Sequence, residues 1–476
     1  MQIDGLLRLM VEQGASDLHF KAGRPPLLRV NDRLLPASAE PLSSEAVQAL
    51  LFPILDERQK GLLATNLFVD LAHSLPGVSR FRVTVYRQRG TLSAAFRRVP
   101  FEFPSLDDWN LPEVLKDFAR LPQGLVLVTG PAGSGKSSTL AALIREIVST
   151  RPVHVVCIED PIEFLISDDL GSVSQREIGT DTHSFADALR NTVRQDPDVI
   201  MVGEMRDTET IATVLTAAET GHLVFSTLHT NSAAQTVDRV VTAFPEPQHR
   251  QVRQQLSQVL EAVVSLKLVD RTDEQGMVAA VEILKTNPRV RKLVHDGSIQ
   301  ELYDEIERSA GYERMQSLNQ SLTALVFNGV ITRATAVAIS PQPADLDLLL
   351  RKTFGMHDAE SSVSEGDMGV SKADFSHIMR LHEVEKAYEE LQERYAHEIA
   401  ERDATIRRME AELTGQEQPD SNSEGTIQAL TEEKTKLMRQ VAFQKQEYDT
   451  KIEKLQLRIK ELSLSAEPAR AGLFRR

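Results

Sequence analysis

Residues 130–137 read Gly130-Pro131-Ala132-Gly133-Ser134-Gly135-Lys136-Ser137, and this octet constrains the chain more than any other stretch. An apolar run, Leu125-Val126-Leu127-Val128-Thr129, precedes it, and a segment rich in Ala, Leu and Ile follows. The glycines let the backbone curl so that several N–H groups face one point, and the amino terminus of the next helix adds partial positive charge there. Lys136 brings a full positive charge. Strand, glycine-rich loop and helix in that order form a cradle for a polyphosphate, with the Ser137 hydroxyl placed to ligate Mg²⁺.

Apolar strands alternating with helices continue from about 119 to 355, which predicts a parallel sheet covered on both faces. Besides Leu125–Thr129, the strands expected are Val153–Ile158, Val199–Val202 and Leu223–Ser226. Polar residues follow their carboxyl ends, where such sheets hold their ligands. The second strand runs into Glu159-Asp160-Pro161-Ile162-Glu163, and the third into Gly203-Glu204-Met205-Arg206-Asp207. Glycine stands at position 203, where an aspartate often helps to hold the metal, so metal organisation falls to Glu204. Glu163 is then the candidate for polarising an attacking water. His229, at the carboxyl end of the fourth strand, can sense a terminal phosphate by hydrogen bonding; His222, at its start, is the weaker candidate.

Residues 1–98 predict a separate α/β module. Leu6, Leu7, Leu9, Met10 and Val11 give a helix ended by Gly14, and Asp17–Phe20 and Leu27–Val30 give strands joined through turn residues. In Arg80–Tyr86 and Leu92–Arg97, arginine alternates with apolar residues, which puts the arginines on one face of a half-buried sheet. Pro100 and Pro104 mark a linker over 99–118. The polar stretch 356–373 predicts a second, flexible linker. Beyond it, Leu381, Val384, Tyr388, Leu391 and Tyr395, and then Tyr448, Ile452, Leu455, Ile459 and Leu462, recur three and four residues apart. The segment Gly415–Gly425 should break the helix between these seams. Over 374–476 the pattern predicts a coiled coil or helical hairpin, with a solvated single helix as the alternative.

The net charge of −15 argues against a chain built to grip nucleic-acid backbones. A single cysteine, Cys157, excludes an intramolecular disulfide or a cysteine-based zinc cluster, and its apolar neighbours predict a small buried hydrophobe. No uncharged apolar stretch reaches the roughly 18 residues that span a bilayer, and the amino terminus reads as a helix rather than a signal peptide. A cytoplasmic protein is the expectation.

Several stretches together resemble the type IV pilus retraction ATPases of the secretion-ATPase superfamily. They are Ala15-Ser16-Asp17-Leu18-His19, Ser79-Arg80-Phe81-Arg82-Val83, the glycine-rich loop, the acidic box around Glu163, the segment around Glu204, and the histidine box from His222 to His229. The resemblance covers about residues 1–350. It implies an α/β protein: a RecA-like P-loop ATPase domain preceded by a small PAS-like α/β domain, with the helical extension following. It also implies a homo-hexamer, hydrolysing ATP with Mg²⁺, that acts on an inner-membrane pilus platform protein at the cytoplasmic face. A paralogous retraction or assembly ATPase is a possible companion, and the coiled coil would have a partner of its own.

Carried onto this chain, the nucleotide-binding residues are Gly130, Pro131, Ala132, Gly133, Ser134, Gly135, Lys136, Ser137 and Ser138. Glu163 is implied as catalytic base, Glu204 as the metal-organising glutamate beside Ser137, and His229 as part of the site. Among Arg80, Arg82, Arg87 and Arg97, the resemblance points first to Arg82 and Arg97 as arginines reaching the phosphates. The family's Ala-Ile-Arg-Asn-Leu-Ile-Arg-Glu-type segment reads here Arg289-Val290-Arg291-Lys292-Leu293-Val294-His295-Asp296, keeping its apolar spacing but not its polar face. Assembly ATPases of pilus extension or type II secretion usually carry a four-cysteine zinc element, which one cysteine cannot make. A RecA-like nucleic-acid translocase is the remoter alternative.

Overall fold

The computed structural model describes residues 2–101, 103–273, 276–354 and 373–414, together with individual positions from 429 to 457. It divides into two compact units: residues up to Arg308 with Met315–Leu318, and Ser309–Arg314 with the described residues from Asn319 onward.

The first unit begins with an antiparallel sheet of β1 (Asp17–Lys21), β2 (Leu27–Val30), β3 (Arg33–Pro36), β4 (Phe68–Leu75), β5 (Ser79–Gln88) and β6 (Thr91–Val99), in the order β3-β2-β1-β6-β5-β4. Asn31 and Asp32, at φ of 47° and 61°, close the two-residue turn between β2 and β3, a left-handed conformation that short polar side chains tolerate. Along β5, Phe81, Val83 and Val85 are buried and Arg82 is exposed, as the alternation of residue types expects. The helix α1 (Ile3–Glu12) adds Leu6, Leu7 and Met10 to the same core, and α2 (Ser44–Leu51) adds Val47 and Leu51. Each such side chain contributes about 1.5–3 kcal/mol by leaving water. The strands β3 and β4, with α2 and α3 (Glu57–Asn66), fall in a stretch where the sequence carries no clean period.

The second sheet holds β7 (Gly124–Thr129), β8 (His154–Glu159), β9 (Ser172–Glu177), β10 (Val199–Val202), β11 (Leu223–Leu228), β12 (Leu260–Asp270) and β13 (Met277–Lys285). Their order is β13-β12-β7-β11-β10-β8-β9. All neighbours run parallel except β12 and β13, so the expectation of a parallel sheet is corrected at this edge: the long β12 pairs antiparallel with β13. Alternate residues of β7 feed two cores. Leu125 and Leu127 face α6 (Phe185–Thr192), α7 (Thr208–Glu219), α8 (Ala233–Thr242) and α9 (His249–Val259), while Val126 and Val128 face α4 (Val114–Ala119) and α5 (Lys136–Thr150). Cys157 is buried in the second core, and its burial holds the thiol well above its ordinary pKa. In the helix Pro288–Asp296 the apolar spacing buries Val290, Leu293 and Val294.

The second unit is helical. Ala310, Ala324 and Phe375 make a small core, with Leu349, Ile378 and Met379 against it. The helix Phe375–Thr414 carries the first seam, in which Val384, Tyr388, Leu391 and Tyr395 are half-buried among exposed charges. Tyr395 and Tyr448 bring their rings to 5.3 Å, the Tyr448 hydroxyl donates to Glu398 (3.0 Å), and Gln456 donates to the Tyr388 hydroxyl (3.1 Å). Ascending numbers on one arm meet descending numbers on the other, which is an antiparallel helical hairpin. Of the linker expected over 356–373, residues 356–372 lie outside the described residues, as do the break at Gly415–Gly425, the side chain of Leu381, Ile459 and Leu462. Among the described residues no helix is long and apolar enough to cross a membrane.

Candidate nucleotide-binding and hydrolysis site

The carboxyl ends of β7, β8, β10 and β11 open onto a cleft of about 290 Å³, lined among others by Gly133, Lys136, Ser137, Glu159, Glu163, Glu204, Arg206 and His229. The glycine-rich loop between β7 and α5 is built as the sequence requires. Gly130 lies at φ +144°, and a Cβ there would meet the Ser134 hydroxyl at 2.4 Å and the Leu266 carbonyl at 2.5 Å. Gly133 and Gly135 also take positive φ, and α5 starts without a side-chain cap, leaving its first N–H groups aimed at the loop. The Ser134 hydroxyl is buried and, among the described residues, has no hydrogen-bond partner. A buried donor of that kind is costly unless an acceptor meets it, so a cradle that no Cβ can enter, with an orphaned hydroxyl inside, fits phosphate oxygens.

Lys136 extends back over the loop. Its ammonium donates to the carbonyls of Gly130 and Pro131, each at 2.9 Å, and lies 3.4 Å from Nδ1 of His229. Burial lowers its pKa, against the pull of the Glu204 and Glu163 charges. On its other nitrogen His229 meets Glu204: Nε2 to Oε1 is 3.1 Å. An ammonium cannot accept, so Nδ1 is the acceptor toward Lys136 and the proton sits on Nε2, donated to Glu204. Glu204 in turn accepts from Arg206 Nε at 2.8 Å, and Arg206 reaches Asp160 at 3.7 Å. The run Lys136–His229–Glu204–Arg206–Asp160 thus joins four strand ends by charge and hydrogen bond.

Backbone contacts hold Glu204 from both sides. The N–H of Gly203 donates to Ile158 O (2.8 Å), the Thr227 hydroxyl donates to Gly203 O (2.6 Å), and the N–H of Met205 donates to Thr227 O (3.1 Å). A Cβ on residue 203 would lie 3.3 Å from Ile158 O, tighter than most such contacts, so the strand end packs closely around the glycine that stands where an aspartate often holds the metal. Ser137 and Glu204 line the same cleft and offer oxygen ligands, the donor chemistry that Mg²⁺ prefers.

The family model described as Type II/IV secretion system protein matches residues 105–326. The Type IV pilus retractation ATPase PilT of Pseudomonas aeruginosa is 44% identical over 336 residues, covering 71% of this chain and 97% of PilT. The Type IV pilus ATPase PilU of the same organism is 40% identical over 368 residues, covering 77% of this chain and 96% of PilU. A crystal structure of the pilus retraction motor PilT with bound ADP superposes with a TM-score of 0.67 at 41% identity, covering 73% of this chain and 99% of that one. This chain is a secretion ATPase of the PilT family.

In this ATPase the cleft gathers Ala132, Gly133, Lys136, Ser137, Glu163, Glu204 and His229 of the expected residues, with Gly130, Pro131, Ser134, Gly135 and Ser138 in the adjoining loop and helix start. Glu163 is exposed, and its N–H lies 3.5 Å from the Glu159 carboxylate. His222 is elsewhere: its Nδ1 lies 3.0 Å from Ala217 O, at the opposite end of β11, roughly 20 Å of strand away from His229. Arg82 and Arg97 do not enter this cleft. They face each other across β5 and β6, and Arg97 donates to Asp17 at 2.8 Å. Burial raises the Asp17 pKa, but hydrogen bonds from Arg97 and Ser16 outweigh it and hold the carboxyl below its usual range.

Three residues of the cleft were not singled out in the sequence. Glu159 is almost fully buried, and burial raises its pKa to about 7 even though Gln175 donates to it. Arg206 and Asp160 complete the charge run. Their signal was there, in acids and a base just beyond strand ends, but Arg206 and Asp160 follow different strands, and Glu159 and its donor Gln175 lie on different ones.

Proposed function

We propose that this chain is the motor of type IV pilus retraction and twitching motility. It would work as a homo-hexamer of two-domain subunits, whose amino-terminal domain ends near residue 98 and whose ATPase domain runs from about 119 to 355. The observation that carries this reading is the match to 97% of the PilT retraction ATPase at 44% identity. In turnover, Lys136 exchanges its loop carbonyls for the β- and γ-phosphate oxygens, and the Ser134 hydroxyl and the first N–H groups of α5 complete the grip. Mg²⁺ bound with ATP would be held by Ser137 and Glu204 and would neutralise charge between the phosphates. Glu163 polarises the attacking water. His229, bonded to both Lys136 and Glu204, feels the loss of the γ-phosphate on either side.

Arg82 and Arg97 lie outside their own subunit's cleft, which fits a role toward the phosphates of a neighbouring subunit. Closing and opening of that interface would turn hydrolysis into rigid-body domain rotation, delivered at the cytoplasmic face of the inner membrane to a pilus platform protein. Nucleic acid is not expected as a partner. The helical hairpin beyond the core favours a second reading, an accessory retraction subunit working beside a paralogous ATPase, with the hairpin binding a further partner. Deleting the gene in its host and scoring pili and surface motility tests the proposal. Abundant pili without movement support retraction; absence of pili supports an assembly ATPase; unchanged pili and movement support the accessory reading.

A further inference from the structure

The acidic loop Asp160–Ile166 has no regular secondary structure, yet it carries Glu163 into the cleft. Its shape is set by the edge strand β9. Gln175 accepts from Ile166 N–H (3.0 Å) and donates to Phe164 O and to Glu159, each at 2.8 Å. Two residues on, and so on the same face, Glu177 accepts from Ile162 N–H at 3.2 Å through Oε2. That same oxygen accepts from Arg80 at 3.1 Å, and Arg80 belongs to β5 of the amino-terminal sheet. The pair is largely removed from water, with side chains 19% and 6% exposed. Arg80 is steadied from its own domain by a donated bond to Ser74 (3.2 Å), and Arg58 of α3 donates to Gly179 O (3.2 Å) alongside.

One carboxylate oxygen therefore holds both the amino-terminal domain and the residue immediately before Glu163. A movement of the β5 sheet that lengthens the Arg80 contact leaves the buried carboxylate to the Ile162 N–H (3.2 Å to Oε2) and the Thr180 hydroxyl (3.4 Å to Oε1), and any shift it makes between them is passed to the loop it supports. We propose that Glu177 is a positioning residue through which Arg80 couples the amino-terminal domain to the placement of Glu163, so that turnover depends on where that domain sits. This rests on the reading of Glu163 as the water-polarising group. A positioned reacting group displaced by about an ångström loses up to about a hundredfold in rate, which sets the scale of the effect.

The test is steady-state ATP turnover and nucleotide affinity of the full-length protein carrying Glu177→Gln, Arg80→Ala, Arg80→Lys, the double variant Arg80→Ala with Glu177→Gln, and Glu163→Gln. The coupling predicts that Glu177→Gln and Arg80→Ala each lower kcat by about ten- to a hundredfold, with affinity within about twofold of wild type. The double variant should be no worse than either single change, and Arg80→Lys should recover most of the rate. In a Glu163→Gln background, Glu177→Gln should cost less than twofold more, because its effect passes through Glu163. Wild-type kcat in Glu177→Gln, a change confined to KM, or full additivity with Glu163→Gln overturns the proposal. Should Arg80→Ala not fold, Glu177→Gln and Arg80→Lys decide it alone. Wild-type turnover in Glu163→Gln removes the assignment of that residue and the coupling with it; an inactive Glu163→Gln beside a fully active Glu177→Gln removes the coupling only.

Discussion

Replacing Gly130 with alanine should damage the phosphate cradle through two separable effects, and Gly133 provides the control. Both glycines have positive φ, +144° and +75°, but of the two only Gly130 would bring a new Cβ into collision, at 2.4 Å with the Ser134 hydroxyl and 2.5 Å with the Leu266 carbonyl; at Gly133 none of the described residues comes within 4 Å. Backbone strain alone costs about 1–3 kcal/mol, and forcing a methyl into packed surroundings adds about 1–3 kcal/mol. Gly133→Ala should therefore lose only the first amount and Gly130→Ala the sum. At about 2–4 °C per kcal/mol for a domain of this size, the two variants should differ in Tm by several degrees. Relief of the Gly130 collision pushes Ser134 or the β12 backbone aside, and losing one bond to a charged phosphate costs about 1.5–3 kcal/mol, or roughly ten- to a hundredfold in nucleotide affinity. Thermal unfolding and titration with a fluorescent ADP analogue read both effects. Equal losses in the two variants would refute the argument that Gly130 is required for space rather than for its φ alone.

Glu204→Gln should keep nucleotide binding yet lose at least about 10²-fold in kcat, the scale of a lost positioned catalytic group; loss of binding together with rate would show a structural role. Arg97 is 72% exposed, so Arg97→Ala should change stability by about 1 kcal/mol or less, while turnover of the assembled protein falls at least about 10²-fold if it serves a neighbour's phosphates. Full turnover in that variant would leave it a surface ion pair. Burial raises the Glu159 pKa from 4.5 to about 7. The folded state thus holds the proton more tightly, and the contribution is full below pH 4.5 and lost as pH rises through 7, by about 3 kcal/mol. Relative to Glu159→Gln, wild-type Tm should fall between pH 4.5 and 8; a constant difference would contradict the assignment.

The glycine-rich loop was legible because its chemistry is local: backbone freedom, one ammonium and a helix start lie within eight residues. The strands β7, β8, β10 and β11 were legible because fully buried parallel strands are continuous apolar runs. The strand β9 was not, since its sequence Ser172-Val173-Ser174-Gln175-Arg176-Glu177 is polar, as an edge strand that holds a loop by side-chain hydrogen bonds must be. The hairpin of β12 and β13 escaped for the opposite reason: Leu260–Asp270 and Met277–Lys285 are apolar but were read within a helix-and-strand alternation that has no place for an antiparallel pair. Glu163, Glu204 and His229 stood out by their position just beyond strand ends. The joining of Lys136 to Glu204 through His229 did not, because it depends on β7, β10 and β11 lying side by side, an order no local pattern encodes.

Steady-state ATP turnover by the purified full-length protein, with and without Mg²⁺ and beside Lys136→Ala, tests the central claim most directly. Magnesium-dependent release of phosphate by the wild type, with turnover abolished when the ammonium is removed, is the predicted result. A well-folded protein that releases no phosphate, or one in which Lys136→Ala turns over at the wild-type rate, would contradict it.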